Sequence, residues 1–243
     1  MAVDFIQMRL MHKLFLLILP LALAACIPAQ PYPTGVGLNE PVNPPQVRPP
    51  KVGQQWVYNV RNVFNQEIVD VVTETVVSVG SRIVIARQGA KRGHLPDEIQ
   101  EPWGYILQDP HWSPPQKFLR PMPLWPEQLV SGWSGFYRNR YQVVGYPDND
   151  FYWGLNINAI RWERVKVPAG EFNTLLYRNE MPFFTSDDFS RVANIRSEDV
   201  WLSPEIGRWV IRRSFGQYLW AGMSGWGDAL MEDYLEWELV SWK

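Results

Sequence analysis

Between Glu67 and Val79, nine residues are Ile, Val or Thr: Ile68, Val69, Val71, Val72, Thr73, Thr75, Val76, Val77 and Val79. β-Branched side chains lose rotamer freedom in a helix and pack well on a pleated surface. This run therefore has to be a strand, and it constrains what can surround it. Gly80-Ser81 follows, and then Arg82–Arg87 carries Ile83, Val84 and Ile85. Two such runs around a Gly-Ser pair predict a two-residue hairpin, with Gly80 supplying the positive φ of a type II′ turn. In that register Val79 faces Arg82, Val77 faces Val84 and Glu74 faces Arg87. An opposite-charge cross-strand pair of this kind contributes about 0.2–1 kcal/mol.

The same pattern recurs along the chain. Gln54–Arg61 alternates, with Trp56, Tyr58 and Val60 on one face. Further strands are predicted at Phe136–Val144, Ile157–Val167, Glu171–Arg178, Ser197–Leu202, Arg208–Phe215 and Leu230–Ser241. Turns fall at Pro168-Ala169-Gly170 and Ser203–Gly207, each with proline early and glycine late. No long apolar period of 3.6 residues is present, so little helix is expected. The predicted fold is mainly β: a single antiparallel, strongly curved sheet forming a half-barrel or open barrel. Residues 88–135 interrupt the pattern with eight prolines, from Pro96 to Pro126, and with Trp103, Trp112, Trp125 and Trp133. They read as a long inserted loop, of a length that is often functional.

The N-terminus sets the location. A segment with Arg9, His12 and Lys13 precedes an apolar run, Leu14–Leu23, broken by Pro20. Leu23-Ala24-Ala25-Cys26 follows. A basic start, a short apolar core and small residues before a cut site make an export signal, and the run is too short to span a bilayer. Leu-Ala-Ala-Cys resembles the lipobox of bacterial lipoproteins. That resemblance implies cleavage before Cys26, acylation of its thiol and anchoring to a membrane. Cys26 is the sole cysteine, so no intramolecular disulfide can form. Ile27 stands where enterobacteria-like systems use Asp for inner-membrane retention, which favours the outer membrane, facing the periplasm. Met1, Met8 and Met11 are alternative starts. The domain reading is 1–25 signal peptide, 26–50 lipidated tether and 51–243 a single β domain. The tether contains Pro28, Pro31, Pro33, Pro41, Pro44, Pro45, Pro49 and Pro50. It should be extended, holding the domain off the membrane by roughly 50–70 Å at most.

The catalytic inventory is thin. Residues 1–25 hold Arg9, Lys13 and Asp4, so the formal charge of −2 becomes −3 after cleavage. A near-neutral chain argues against nucleic acid as a partner. His94 and His111 read as solvated loop histidines rather than metal ligands. Gly132-Trp133-Ser134-Gly135 and Gly222-Met223-Ser224-Gly225 lack the second glycine of a nucleophile elbow. Asp148-Asn149-Asp150 starts like a calcium loop, but Ala159 stands where the closing glutamate belongs. Glu163, Glu180, Asp187, Asp188, Glu198, Asp199 and Glu205 could supply a glycosidase pair, with nothing to choose among them. No catalytic residue, cofactor or metal site is assigned.

Two segments, Val165–Thr174 and Trp201–Val210, resemble paired hairpins of uncharacterised bacterial envelope proteins. Those are similar to the lipoprotein-localisation factors, which implies a curved sheet around an apolar cavity. All 13 tryptophans follow Cys26. The valines of 67–79 fall on both faces: Val71, Val77 and Val79 on one, Val72 and Val76 on the other. Both faces should then be covered. The expected cover is the loop 88–135, closing an apolar cavity through Trp103, Trp112 and Trp125. Trp220 and Trp226, in a glycine-rich segment, are further candidate ligand contacts. The expectation is a non-enzymatic envelope lipoprotein that binds an apolar ligand or an envelope protein. A carbohydrate- or peptidoglycan-binding module using exposed tryptophans, and an envelope hydrolase, are the alternatives. Changing Cys26 to Ser should leave the precursor uncut by the lipoprotein peptidase and free of acyl label. Normal incorporation of labelled palmitate in that variant would refute the lipid anchor.

Overall fold

The computed structural model describes residues 35–185, 190–222 and 225–243. The signal segment, Cys26 and residues 27–34 lie outside the described residues. The strands are β1 (Gly35–Gly37), β2 (Gln55–Asn62), β3 (Ile68–Val79), β4 (Ile83–Gly89), β5 (Gly93–Gln100), β6 (Tyr105–Asp109) and β7 (Gln116–Pro123). They continue as β8 (Ser134–Val143), β9 (Tyr146–Val167), β10 (Gly170–Phe183), β11 (Arg191–Ser203), β12 (Arg208–Gly222), β13 (Gly225–Met231) and β14 (Leu235–Trp242). No helix occurs among the described residues.

The chain is mainly β and antiparallel, as expected, but the sheet is neither a half-barrel nor an open one. Its order is β9-β10-β11-β12-β14-β2-β3-β4-β5-β6-β7-β8, and β8 pairs back onto β9 from Ser134–Asn158 to Val143–Tyr146. Twelve strands thus close a ring. β9 makes closure possible through its length. One edge takes β10, and the other takes β8 and, beyond it, β1 at Glu163–Val165. Among the described residues, closure leaves β1 and β13, each paired to a single strand, as the remaining short edges.

The remaining strands come from residues 88–135, which are wall rather than a loop. Proline masked them in the sequence, but each proline sits where the ladder needs no N–H. Pro96 lies in a bulge, between Leu95 opposite Arg87 and Glu98 opposite Ile85. Pro121 lies in the stretch between Lys117, opposite Gln108, and Met122, opposite Ile106. Pro102, Pro110, Pro114 and Pro115 occupy the connections flanking β6.

The β3–β4 hairpin also differs from expectation at its tip. Val79 pairs with Ile83 and Ser78 with Val84, so the turn has three residues and Gly80 is not at positive φ. A bulge at Val77 then removes the extra residue, and Glu74 faces Arg87 as predicted. The inward set is therefore Val72, Glu74 and Val76 against Ile83, Ile85 and Arg87. The outward valines need no cover: Val69, Val77 and Val79 remain exposed. Arg138, Arg140, Arg164, Lys166 and Glu171 are also exposed on the outer wall. A membrane-spanning barrel has the reverse arrangement, apolar outside and polar inside.

Inside, Trp56, Tyr58, Trp153, Ile157, Leu175, Tyr177, Leu202, Trp209 and Leu239 are fully or nearly fully buried. The two mouths of the ring differ. One is bordered by the turns after β3, β5, β7, β9 and β11, and residues 38–50 cross it. Leu38 N donates to Trp162 O at 2.8 Å, and Arg48 N donates to Pro204 O at 2.9 Å. Trp103 Nε1 donates to Arg48 O at 3.1 Å. Glu40 accepts from Ser131 N at 3.1 Å and from Trp162 Nε1 at 3.3 Å. These anchors lie on widely separated strands of the ring. Residues 35–50 of the expected tether thus pack on the barrel, as β1 and a strap over one mouth.

Gly207 shows how closely the strap fits. It sits at φ +70°, and a Cβ there would lie 2.4 Å from Arg48 O. Gly207→Ala should cost at least the roughly 1–2 kcal/mol of a left-handed residue with a side chain. It should also increase protease cleavage within residues 38–50. Unchanged melting and unchanged cleavage would show that the strap does not rest on this turn.

Candidate functional site

Strand alternation carries charge as well as apolar groups into the barrel. β3 brings Glu74 inward, β4 Arg87, β5 Glu98, β6 Asp109, β11 Glu198, and β12 Arg208 and Arg212, all buried. At the centre is Arg208, wholly buried. Its Nη1 and Nη2 donate to the two Glu98 oxygens at 2.8 and 2.7 Å, and Nη2 also donates to Glu74 Oε2 at 2.6 Å. The Trp209 ring lies 3.7 Å from its guanidinium carbon. Arg87 Nε donates to Glu74 Oε1 at 3.1 Å. Gln100 Nε2 donates to Glu98 Oε1 at 2.6 Å. Arg212 pairs with Glu198 and stands 3.9 Å from Asp109.

His111, from the β6–β7 connection, completes the cluster. Its Nδ1 lies 2.9 Å from Asp109 Oδ1 and its Nε2 3.0 Å from Glu74 Oε1. Its ring meets Trp209 and Trp237 edge-on, each at 5.3 Å. His111 thus bridges two buried carboxylates, one from β6 and one from β3. Burial pushes Glu74 upward, but Arg208 and His111 hold its carboxyl well below the usual range. Asp109 is likewise pushed up by burial and brought far down by His111 and Arg212. Burial works against the charge of Arg208, yet Glu74 and Glu98 raise its pKa well above the ordinary value.

Glu74, Glu98 and His111 offer oxygen and nitrogen atoms close enough together for a metal ion. The donor set does not fit one. Arg208 already lies between the two carboxylates and occupies three of their four oxygens, so a cation would have to displace a guanidinium.

Above this cluster, at the mouth opposite the strap, is a cleft of about 550 Å³. Arg87 and His111 form its floor, and Leu95, Trp112, Leu235 and Trp237 give apolar walls. Arg191, Arg196 and Glu232 line one side. Arg196 packs against the rings of Trp112 and Phe183, its guanidinium carbon 4.4 and 4.5 Å from their centroids. Its Nε donates to Glu232 Oε2 at 2.7 Å, and its Nη2 donates to Ser113 O at 3.3 Å. Arg191 Nη2 donates to the same Glu232 carboxylate and stacks on Tyr218 at 3.8 Å. Burial raises the Glu232 pKa, but Arg196 and Arg191 bring it below the usual value. Gly216 makes room for this carboxylate: a Cβ there would sit 2.2 Å from Glu232 Oε2. Arg196 Nη1, Arg191 Nε and Trp112 Nε1 are buried with no hydrogen-bond partner. A buried polar group left unpaired costs about 1–3 kcal/mol.

The tryptophans expected to bind ligand do not converge. Trp112 lines this cleft. Trp103 and Trp125 meet edge-to-face at 5.3 Å under the strap, beside Pro44–Val47. Trp220 is 42% exposed on β12. Trp226 is on β13, and its side chain lies outside the described residues. The expected apolar cavity beneath residues 88–135 is not formed. The space left among Ile106, Trp153, Tyr177 and Trp209 is about 30 Å³, the size of a water molecule. Indoles and the ion cluster fill the rest. His111, expected to be a solvated loop histidine, is buried at the centre. One signal could have found the cluster: Glu74 shares its strand face with Val72 and Val76. Nothing local marked Arg208 or Glu98.

Glu74→Gln would leave Arg208 short of one charged partner, and removing one partner of a buried pair costs about 3–5 kcal/mol. Glu74 and Asp109 have depressed folded pKa values, so their stabilisation is present above the unfolded range near 4 and lost as pH falls below it. Denaturant unfolding of the wild type should weaken steadily below about pH 4, with a shallower slope in Glu74→Gln. An identical slope in the variant would remove Glu74 from that account.

No family model matches the chain, and no curated protein does. Two solved structures are similar to it. A chain from Parabacteroides distasonis assigned as a lipoprotein aligns with a TM-score of 0.55 and 12% identity, over 83% of this chain and 100% of its own. A chain from Bacteroides fragilis assigned as an exported protein with a YmcC-like fold aligns with a TM-score of 0.52 and 13% identity, over 82% and 99%. At these identities the likeness is one of fold, and the fold is one that exported and lipoprotein-assigned chains of the Bacteroides group adopt.

Proposed function

We propose that this chain is a lipid-anchored envelope protein, attached through Cys26 to the outer membrane and facing the periplasm, which acts by binding rather than by catalysis. The observation that carries the reading is the position of the cleft. β1 and the strap enter at one mouth, and the cleft of about 550 Å³ opens at the other. A recess of that size, open to solvent at the mouth the strap leaves free, is within the range of ligand sites. The fold likeness to exported and lipoprotein-assigned chains supports the envelope location. The charge chemistry supports a non-enzymatic role. A general acid needs a raised carboxyl pKa, whereas Glu74, Asp109 and Glu232 are all lowered. The sugar-stacking alternative draws less support, because Trp103 and Trp125 meet edge-on and grip the strap.

With Cys26 acylated, an introduced cysteine would be the sole free thiol. A photo-cross-linker on Asp233→Cys, at the cleft, should capture a ligand or partner in intact cells. The same reagent on Glu171→Cys, exposed near the strap end, should capture nothing comparable. Equal labelling at both positions, or none at 233, would refute the cleft as the binding surface.

A further inference from the structure

The cleft holds an uneven set of charges. Among its lining residues, Arg87 is neutralised by Glu74 and Arg92 by Asp70, whose Oδ2 accepts from Arg92 Nε at 2.8 Å. Asp233 is exposed at the rim, where water screens it. His111 is engaged on both sides by Asp109 and Glu74. Among the described residues, that leaves Arg191 and Arg196 sharing one carboxylate, Glu232, one negative charge short of neutrality. The donors are short of acceptors in the same place. Arg196 Nη1, Arg191 Nε and Trp112 Nε1 have none. The Arg196 guanidinium is held in place: it packs against the rings of Trp112 and Phe183, and Ser113 O and Glu232 accept from two of its nitrogens. Beside it, Trp112, Leu95, Leu235 and Trp237 offer apolar surface.

We infer that the cleft binds a monoanionic carboxylate carrying an apolar or aromatic body, with the carboxylate received by Arg196 and Arg191 and the body set against Trp112 and Trp237. This rests on the reading of the cleft as the binding surface and names the chemistry it selects. A fixed planar guanidinium with an unpartnered Nη1, next to the unpartnered Arg191 Nε, is suited to a carboxylate. A single charge completes the neutrality of the site. A dianion overshoots it and meets Glu232 at close range. An uncharged ligand of the same shape leaves the arginines unbalanced.

The test uses the full lipidated chain in non-ionic detergent, in buffer alkaline enough to ionise the phosphonate twice, and three probes with one body: phenylpropanoate, phenylpropanol and phenylpropylphosphonate. Binding is read by saturation-transfer NMR and calorimetry. The carboxylate should bind saturably, and at least about tenfold more tightly than the alcohol and the dianionic phosphonate. Arg196→Lys should abolish the preference for carboxylate over alcohol. Because that variant could also disturb folding, Glu232→Gln supplies a gain that misfolding cannot imitate. Removing the resident charge should tighten carboxylate binding at least about fivefold and strengthen phosphonate binding by more. Equal binding of acid and alcohol would overturn the carboxylate inference while leaving the cleft as a binding surface. Preference for the phosphonate in the wild type would overturn the charge argument. Absence of binding by all three probes, together with no capture at position 233, would overturn both readings.

Discussion

A wholly buried arginine between two wholly buried glutamates is the constraint to which the rest of the barrel answers. Taking Arg208, Glu74 and Glu98 out of water is costly, and their mutual attraction offsets that cost only with good geometry and every remaining lone pair satisfied. The surroundings meet that condition. Arg87 and His111 take the other Glu74 oxygen, Gln100 takes Glu98, and Trp209 covers the guanidinium face. The three residues come from β12, β3 and β5, which are not neighbours in the sheet. The pairing therefore works across the lumen. A one-residue slip in any of these strands would turn a charge outward and strand its partner. The cluster contributes most to register, since buried ion pairs are weak sources of net stability.

Closure of the ring and the ion cluster depend on each other. An open sheet would expose the lumen to water and leave two unpaired edges. In the closed ring the lumen holds large aromatics and compensated charge, with space left for about one water molecule. Among Ile106, Trp153, Tyr177 and Trp209 the lumen therefore has no room for a ligand of drug size. Recognition is moved to the mouths, and one of these is already covered by residues 38–50. The bulges that let prolines into β5 and β7 are part of the same solution, because they keep the wall continuous, and the β6–β7 connection delivers His111 to the cluster.

The fold class was legible because alternation is a local property. The runs around Trp56, Ile68–Val79 and Arg208–Phe215 announce strands without outside help. Closure was less legible, since it depends on β9 being long enough to serve β10, β8 and β1, and on reading Pro96 and Pro121 as bulges. The pairing of Glu74 with Arg87 survived an error in the turn because the bulge at Val77 restored the register. Its burial could have been read from the parity of Val72, Glu74 and Val76. The partners could not, since Glu98 and Arg208 are 24 and 134 residues away in sequence and only the closed ring brings them together. The tryptophans misled for a related reason. An indole is as useful for filling a barrel or holding a strap as for contacting a ligand, and its sequence context does not separate these uses.

One short connection joins the buried cluster to the cleft. His111 sits in the cluster, Trp112 stacks on Arg196, and Ser113 O accepts from Arg196. Three consecutive residues thus link the fixed geometry of the interior to Arg196, whose Nη1 has no hydrogen-bond partner. The interior network holds His111 from both sides, so the backbone that follows has little freedom to move. Arg196 is thereby kept in a single orientation before any ligand arrives. Ordering a long side chain on binding normally costs about 0.5–1.5 kcal/mol, and here folding has already met that cost. The buried charges, which add little net stability of their own, then serve as the foundation that keeps the mouth of the barrel rigid.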